Sequence, residues 1–218
     1  CCGQPMANAG FENEAVPFRC INRLDKDTTG ITILAKNSLS GGILGRQMNE
    51  RKIPRTYLAI VRGITPESGT ITAPIGRKEG SVLERQVDFK QGEYACTHYR
   101  RLSITNTDPV YSLVALKLDT GRTHQIRVHM NYIGHPLFND ERYGGSEIRK
   151  GTIYAKYKQF IRNCFELCPR QALHAKTLGF VHPRTREFIR FDSALPADMA
   201  ALISKWRDYA GNMPAEEA

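Results

Sequence analysis

The stretch Asn22-Arg23-Leu24-Asp25-Lys26-Asp27-Thr28-Thr29-Gly30 holds a carboxylate and an arginine two residues apart among small polar residues and a glycine. Those small residues mark a turn, and the run after it, Ile31-Thr32-Ile33-Leu34-Ala35, reads as a buried strand. A loop fixed by a strand can aim Arg23 and Asp25 at a substrate, because catalytic groups tend to sit on loops positioned by a rigid scaffold. The same residues also make ordinary turns, in which Asp25 or Asp27 simply caps local backbone.

A second dense cluster lies in Asp119-Thr120-Gly121-Arg122-Thr123-His124-Gln125-Ile126-Arg127-Val128-His129-Met130. Thr123 fits an N-cap for a helix whose buried stripe is Ile126, Met130 and Ile133, with Gly134 at its C′ position. The opposite face carries Arg127 with Gln125 and His129 beside it, and Arg122 stands just before the helix. Such a face can be a solvated helix surface. It can equally hold a phosphate or carboxylate in bidentate geometry.

These side chains need elements to hold them. Leu39, Ile43, Leu44, Gln47 and Met48 share one helical face, with Ser38 as the expected N-cap and Pro54 as the stop. Gly41, Gly42 and Gly45 weaken this helix, by up to about 1 kcal/mol each, and point to a close neighbour or a pliable element. Thr56–Val61, Gly69–Gly76, residues 94–105 and residues 110–118 read as strands, with a turn at Asn106-Thr107-Asp108-Pro109. Residues 77–93 read as an exposed loop or hairpin. Ala172–Ala175 and Leu178–Pro183 read as strand and turn, followed by the hairpin Pro183–Glu187 into Phe188–Phe191. Leu195, Met199, Leu202, Ile203 and Trp206 then form the stripe of a closing helix, followed by a loose polar tail at 211–218. Many strands and short helices give an α+β fold around a mixed, largely antiparallel sheet flanked by helices and loops. No linker or internal repeat divides the chain, so residues 1–218 read as a single domain.

Composition narrows the partners. The 218 residues carry a formal charge of +9, the footprint expected for a polyanion partner, most often nucleic acid. Hydrophobic residues at 41% and charged residues at 24% exclude wholesale disorder. No apolar run approaches the roughly 20 residues of a spanning helix, and the N-terminus lacks a signal pattern. The expectation is a soluble, cytoplasmic protein. Its six cysteines read as reduced thiols: Cys164-x3-Cys168 is the close pair away from the terminus, and no second pair completes a zinc site. Residues 147–170 interleave Lys150, Lys156, Lys158, Arg162 and Arg170 with Tyr154, Tyr157 and Phe160. That pattern suits nucleic-acid binding or a basic amphipathic helix with its aromatics turned inward.

Taken together, these stretches resemble the RluA-type family of RNA pseudouridine synthases. Arg23-Leu24-Asp25-x-x-Thr28-Thr29-Gly30 looks like the family's catalytic-aspartate motif. Arg55-Thr56-Tyr57-Leu58-Ala59-Ile60-Val61-x-Gly63 resembles its tyrosine strand, and Ala95-x-Thr97-x-Tyr99 a further signature. Gly121 through His129, followed by Gly134-His135-Pro136 and Asp140-x-x-Tyr143-Gly144, is the most specific block. Leu173-His174-Ala175 and His182-Pro183-x-Thr185 complete the series. Asn22 stands where the family more often has histidine, and Thr29 replaces a usual serine. The family's usual first strand is absent, so the N-terminal edge of the domain reads as incomplete, and no accessory RNA-binding domain is visible.

The resemblance implies a pseudouridine-synthase-like domain with a central cleft, converting uridine in structured ribosomal or transfer RNA to pseudouridine. In that reading Asp25 is the essential carboxylate, acting as nucleophile at C1′ or as base at C2′. Arg127 is its counter-cation, Tyr57 lies over the target base, and Arg23 reaches into RNA as the nucleotide leaves the stack. By strand alternation alone Tyr57 is as readily a core residue. Arg122, Lys156 and Lys158 are the RNA-binding candidates, together with the segments 77–93 and 147–170. The isomerisation needs no cofactor and no metal, and a monomer is expected. The alternative is an RNA-binding domain of the same fold without turnover, or an RNA N-glycosidase that would release free base.

Overall fold

The computed structural model describes residues 18–105, 110–147 and 155–211. Residues 1–17, the turn at 106–109, Lys150 and Tyr154, and the tail beyond 211 lie outside the described residues. So do the side chains of Lys156 and Tyr157.

In chain order the elements are β1 (Arg19–Cys20), β2 (Thr29–Gly30), β3 (Leu34–Ala35), α1 (Ser38–Asn49), β4 (Arg55–Arg62), β5 (Ser68–Thr72), β6 (Ile75–Arg77), β7 (Arg85–Val87), β8 (Cys96–Ile104), β9 (Tyr111–Leu118), α2 (Gln125–Tyr132), α3 (Ala155–Leu167), β10 (Leu173–Val181), β11 (Phe188–Asp192) and α4 (Ala197–Gly211). The main sheet runs β11-β10-β4-β9-β8-β5, all antiparallel along that path, and β2 joins β10 in parallel. The expected α+β class with a mixed, largely antiparallel sheet is what the molecule has.

β4 sits at the centre, and its alternation splits the core into two layers. Tyr57, Ala59 and Val61 face one way, against Ile126 and Met130 of α2. Ile60 faces the other, against Phe138, Cys164 and Cys168 and against Met199, Leu202 and Trp206 of α4. Thus α2 covers one sheet face while α3 and α4 cover the other. Burial pushes the Cys164 and Cys168 thiols up to about 11, which keeps them protonated and inert. A third cluster packs Leu44 of α1 against Leu178 and Phe180, beyond a register shift in β10 between Ala175 and Thr177.

Several local expectations are corrected. Asn37, not Ser38, caps α1, its Oδ1 accepting from the Ser40 N–H at 2.8 Å, and the helix ends at Asn49, well before Pro54. Of the three α1 glycines only Gly41 meets a close neighbour, since a Cβ there would lie 3.0 Å from Arg19 Cδ. Within the stretch 31–35 the strand ladder is confined to Leu34–Ala35, while the Ile31 N–H donates to the Ala175 carbonyl at 3.1 Å and the Ile33 carbonyl accepts from the Ile21 N–H at 2.9 Å. Residues 69–76 divide between β5 and β6, whereas residues 77–93 do form part of a hairpin, the β6–β7 pair, as expected.

Candidate active site

The Asn22–Gly30 loop is clamped at both ends. Asn22 is buried, its Oδ1 accepting from the Ile33 N–H at 2.8 Å and its Nδ2 donating to the Ile31 carbonyl at 3.4 Å, so the side chain ties the loop's entry to its exit. The Thr28 N–H closes a turn onto the Asp25 carbonyl at 3.0 Å, with Asp27 in the left-handed region at φ 66°. At the far end Gly30 has φ 119°, and a Cβ there would lie 2.3 Å from the Ala175 carbonyl oxygen. Only glycine lets this backbone lie so close to β10. From below, Gln171 Nε2 donates to the Lys26 carbonyl at 2.6 Å, and Arg170 Nη1 to the Asp27 carbonyl at 3.2 Å. Arg170 is itself held bidentately by Asp198 of α4, at 2.7 and 2.8 Å. Thr29 Oγ1 lies 2.9 Å from His174 Nδ1.

This loop presents Asp25 to a cleft lined on the remaining sides by Arg55 and Tyr57 of β4, Leu118, Arg122, His124 and Leu173. An adjoining groove continues past Asn22, Arg23, Met48 and Thr123 and shares Arg23, Asp25, Arg55 and Arg122 with the cleft. Three arginines therefore ring the junction of cleft and groove. Arg122 pairs there with Glu93, and its Nε donates to the Tyr94 carbonyl at 3.1 Å.

Tyr57 is buried, yet it lines the cleft beside Asp25. Burial, with the Asp25 charge adding to it, raises its phenol pKa, and the hydroxyl stays protonated at neutral pH. Its ring offers a stacking face and its hydroxyl a proton donor. Both readings of Tyr57, core residue and cleft residue, are thus realised in one side chain.

Arg127 does not line the cleft. It lies buried behind Asp25 and reaches the carboxylate with Nη1 at 3.6 Å. Its closer partner is Asp140, fully buried, which it grips with Nε at 2.7 Å and Nη2 at 2.8 Å. The Tyr143 ring lies 4.8 Å from the guanidinium carbon, and the Tyr143 hydroxyl accepts from the Arg85 N–H at 3.0 Å and meets His124 Nδ1 at 2.8 Å. Burial works against the guanidinium charge, but the Asp140 hydrogen bonds and the charges of Asp140 and Asp25 hold its pKa above the ordinary arginine value. The result is a permanent cation placed beside Asp25.

The polar face of α2 is therefore not solvated, and it divides into two sets. Arg127 turns toward Asp25, with His124 and Arg122 at the cleft. Gln125 and His129 turn into the core: Gln125 Nε2 donates to the Cys96 carbonyl at 2.9 Å and its Oε1 accepts from the Arg122 N–H at 3.0 Å. His129 spans Thr97 Oγ1 and the Ala73 carbonyl, each at 2.9 Å, and burial lowers its pKa, so it is a neutral core imidazole. The helix start is also corrected. Thr123 does not cap α2; His124 occupies the N-cap position at φ 57° with no side-chain cap bond. Left-handed backbone in a non-glycine residue is strained and collects at functional sites. Here it turns His124 into the cleft. Gly134 does close the helix, at φ 85°.

The structure brings Asp25, Tyr57, Arg23 and Arg122 to one cleft, with Arg127 directly behind. It does not bring Lys158 there: α3 packs on the opposite sheet face, and none of the cleft's lining residues comes from it. Three residues without an assigned role in the sequence reading belong to the site. Asp140 and Tyr143 set Arg127, and their signal was the Asp-x-x-Tyr-Gly spacing. Arg55 lines the cleft with a buried Nε that has no hydrogen-bond partner.

Comparison with known proteins places this architecture. The family model for RNA pseudouridylate synthase matches residues 4–132, more than half of the chain. The Bacillus subtilis protein described as "Uncharacterized RNA pseudouridine synthase YjbO" is 41% identical over 84% of this chain and 57% of its own length. Ribosomal large subunit pseudouridine synthase D of Pseudomonas aeruginosa is 39% identical over 86% of this chain and 56% of its own. The chain thus spans little more than half the length of these curated relatives. Among solved structures, human RNA Pseudouridylate Synthase Domain Containing 1 superposes with a TM-score of 0.66 at 26% identity, over 91% of this chain and 82% of that one. Among the described residues no helix is long and apolar enough to cross a membrane. With an aspartate loop, a tyrosine strand and an arginine helix meeting in this order on this sheet, the chain belongs to the RNA pseudouridylate synthase family, in its RluA-type branch.

Proposed function

We propose that the chain is the catalytic domain of an RNA pseudouridine synthase, isomerising a uridine in structured RNA, with Asp25 as the essential carboxylate. One observation carries the reading: Asp25 opens onto a cleft that Tyr57 lines, with the Arg127 guanidinium 3.6 Å behind it. The base-to-ribose bond must break at C1′ and re-form to carbon, which requires an ionised carboxylate beside the sugar and a ring to hold the detached base. Arg127 sets a fixed positive charge beside Asp25, and Tyr57 supplies the ring with a protonated hydroxyl at its tip. A uridine reaches this cleft only by leaving its stack, and Arg23, exposed on the same loop, is placed to fill the space it vacates. Arg55 and Arg122 at the rim suit the flanking phosphates.

The relatives named for the ribosomal large subunit favour ribosomal RNA as the substrate class, acted on in the cytoplasm. Action as a monomer is part of the same proposal. The test is Asp25→Asn and Asp25→Ala in the purified protein, with nucleosides resolved by chromatography after RNA digestion. Pseudouridine is expected from the parent and none from the variants, with RNA binding and the thermal transition retained. Full activity in Asp25→Ala would overturn the assignment, and free uracil as product would make the enzyme an N-glycosidase.

A further inference from the structure

Away from the cleft, Cys96, His98 and Asp119 bring three ligand atoms within 4.8 Å of one another. Cys96 and His98, two apart on β8, share a face of the strand. Thr97 pairs with Leu118 across the β8–β9 ladder, and the Asp119 N–H donates to the Cys96 carbonyl at 3.2 Å, so Asp119 stands beside them. Cys96 Sγ lies 3.7 Å from His98 Nε2, and Asp119 Oδ2 lies 2.8 Å from the same nitrogen. The other ring nitrogen, Nδ1, is held 2.9 Å from Thr70 Oγ1.

This is not the arrangement of a thiol relay. In a Cys–His–Asp relay the acid binds the ring nitrogen opposite the one that faces the thiol. Here thiol and acid share one nitrogen and a hydroxyl holds the other. Anchoring of the second nitrogen is what a metal-bound imidazole shows. Tetrahedral zinc sets its ligand atoms roughly 3.3–3.7 Å apart, given bond lengths of about 2.0–2.3 Å. The sulfur–nitrogen separation already fits, and the nitrogen–oxygen pair needs to open by about 0.5 Å. The side chains of His98 and Asp119 are 40% and 42% exposed, so an ion enters without opening the core. A thiolate and a carboxylate together neutralise a divalent cation.

We infer that Cys96, His98 and Asp119 form a binding site for a thiophilic divalent cation of the zinc class, with the fourth position left to water. The bound ion ties β8 to the segment that delivers Arg122 and His124. That segment is already linked to Cys96: the Cys96 N–H donates to Thr120 Oγ1 at 3.0 Å, and Thr120 Oγ1 donates to Gln125 Oε1 at 2.8 Å. The site is a brace behind the cleft, independent of the reaction proposed above.

The test titrates the reduced full chain with Co²⁺ and follows the thiolate-to-cobalt charge-transfer absorption, then displaces the metal with Zn²⁺. One equivalent is expected to saturate the band and zinc to erase it. Cys96→Ser should abolish the band. His98→Gln and Asp119→Asn, on partly exposed side chains that leave the core intact, should each weaken binding at least tenfold, and Thr70→Val should weaken it about tenfold through the anchored nitrogen. Three results would each overturn the inference: no band in the folded parent, a band that survives Cys96→Ser and so arises from Cys1, Cys2 or Cys20, or unchanged affinity in both His98→Gln and Asp119→Asn.

Discussion

Arg127 keeps two nitrogens on Asp140, at 2.7 and 2.8 Å, and presents the third to Asp25 at 3.6 Å. The buried carboxylate thus holds the guanidinium still, and the partly exposed one meets it at a distance that leaves its oxygens free to act. Asp140 is a positioning residue, and Tyr143 beneath the guanidinium completes the mount.

Removing that mount should be costly. Asp140→Ala leaves a buried arginine without its main partner, a change worth about 3–5 kcal/mol. Denaturant unfolding should show a loss of that order, accompanied by lost pseudouridine formation. A variant within about 1 kcal/mol of the parent would mean that Asp25 alone suffices to hold Arg127.

Arg127→Lys tests geometry apart from charge. A single ammonium cannot grip Asp140 bidentately and also face Asp25. Turnover should fall by about 10²-fold or more, close to 2.7 kcal/mol of transition-state stabilisation, with RNA affinity little changed. Parent-like turnover would show that a point charge is all the site requires.

Gly30→Ala should unlatch the aspartate loop. The new Cβ would enter the Ala175 carbonyl at 2.3 Å, on a backbone at φ 119° that L side chains avoid. A loss of about 2–4 kcal/mol is expected from the strain and the displaced β2–β10 pairing. Calorimetry shows whether the midpoint moves; an unchanged transition would refute so close a contact.

The stability of the protein should rise with pH below neutrality. Burial lowers the pKa values of His124, His129 and His174 in the folded state, and for His174 the Arg170 charge adds to it. The unfolded chain, with histidines near about 6.5, then binds more protons than the folded one between the folded values and 6.5. Their contribution is fully present above about 6.5 and is lost as pH falls through the folded values. Urea midpoints should therefore drop from pH 7 to pH 5, and His129→Asn should flatten the slope. Midpoints that climb on acidification would reverse the sign and contradict the buried neutral imidazoles.

Charge reversal should separate the groove from α3. Arg23→Glu and Arg122→Glu are expected to weaken RNA binding and to reduce the slope of affinity against salt by about 1 each. Lys158→Glu, on the helix behind the sheet, should do less. Fluorescence anisotropy across a salt series checks this, and a larger effect at Lys158 would move the RNA path to the other face.

How much of this was legible in the sequence depends on the kind of interaction. The aspartate loop, the tyrosine strand, the arginine helix, the antiparallel sheet and the family were readable because periodicity, turn residues and motif spacing are local properties of the chain. Asn22 and Thr29, which depart from the usual motif, kept their purpose hidden until the loop closed: one ties the loop's two ends together, the other meets His174. Which residues of the polar α2 face turn inward was not legible, since helical spacing cannot tell a solvated face from one roofed by Thr97, Ala73 and Asp140. The caps shifted by one residue, Asn37 for Ser38 and His124 for Thr123, because a cap is decided by backbone torsion rather than side-chain type alone. The sequence alone determined the chemistry available: one acid, one ring, several guanidinium groups and the order in which they arrive. Only the tertiary structure decided the pairings, because Asp25 with Arg127, Arg127 with Asp140, and Cys96 with Asp119 are contacts between distant elements, fixed by strand register and packing.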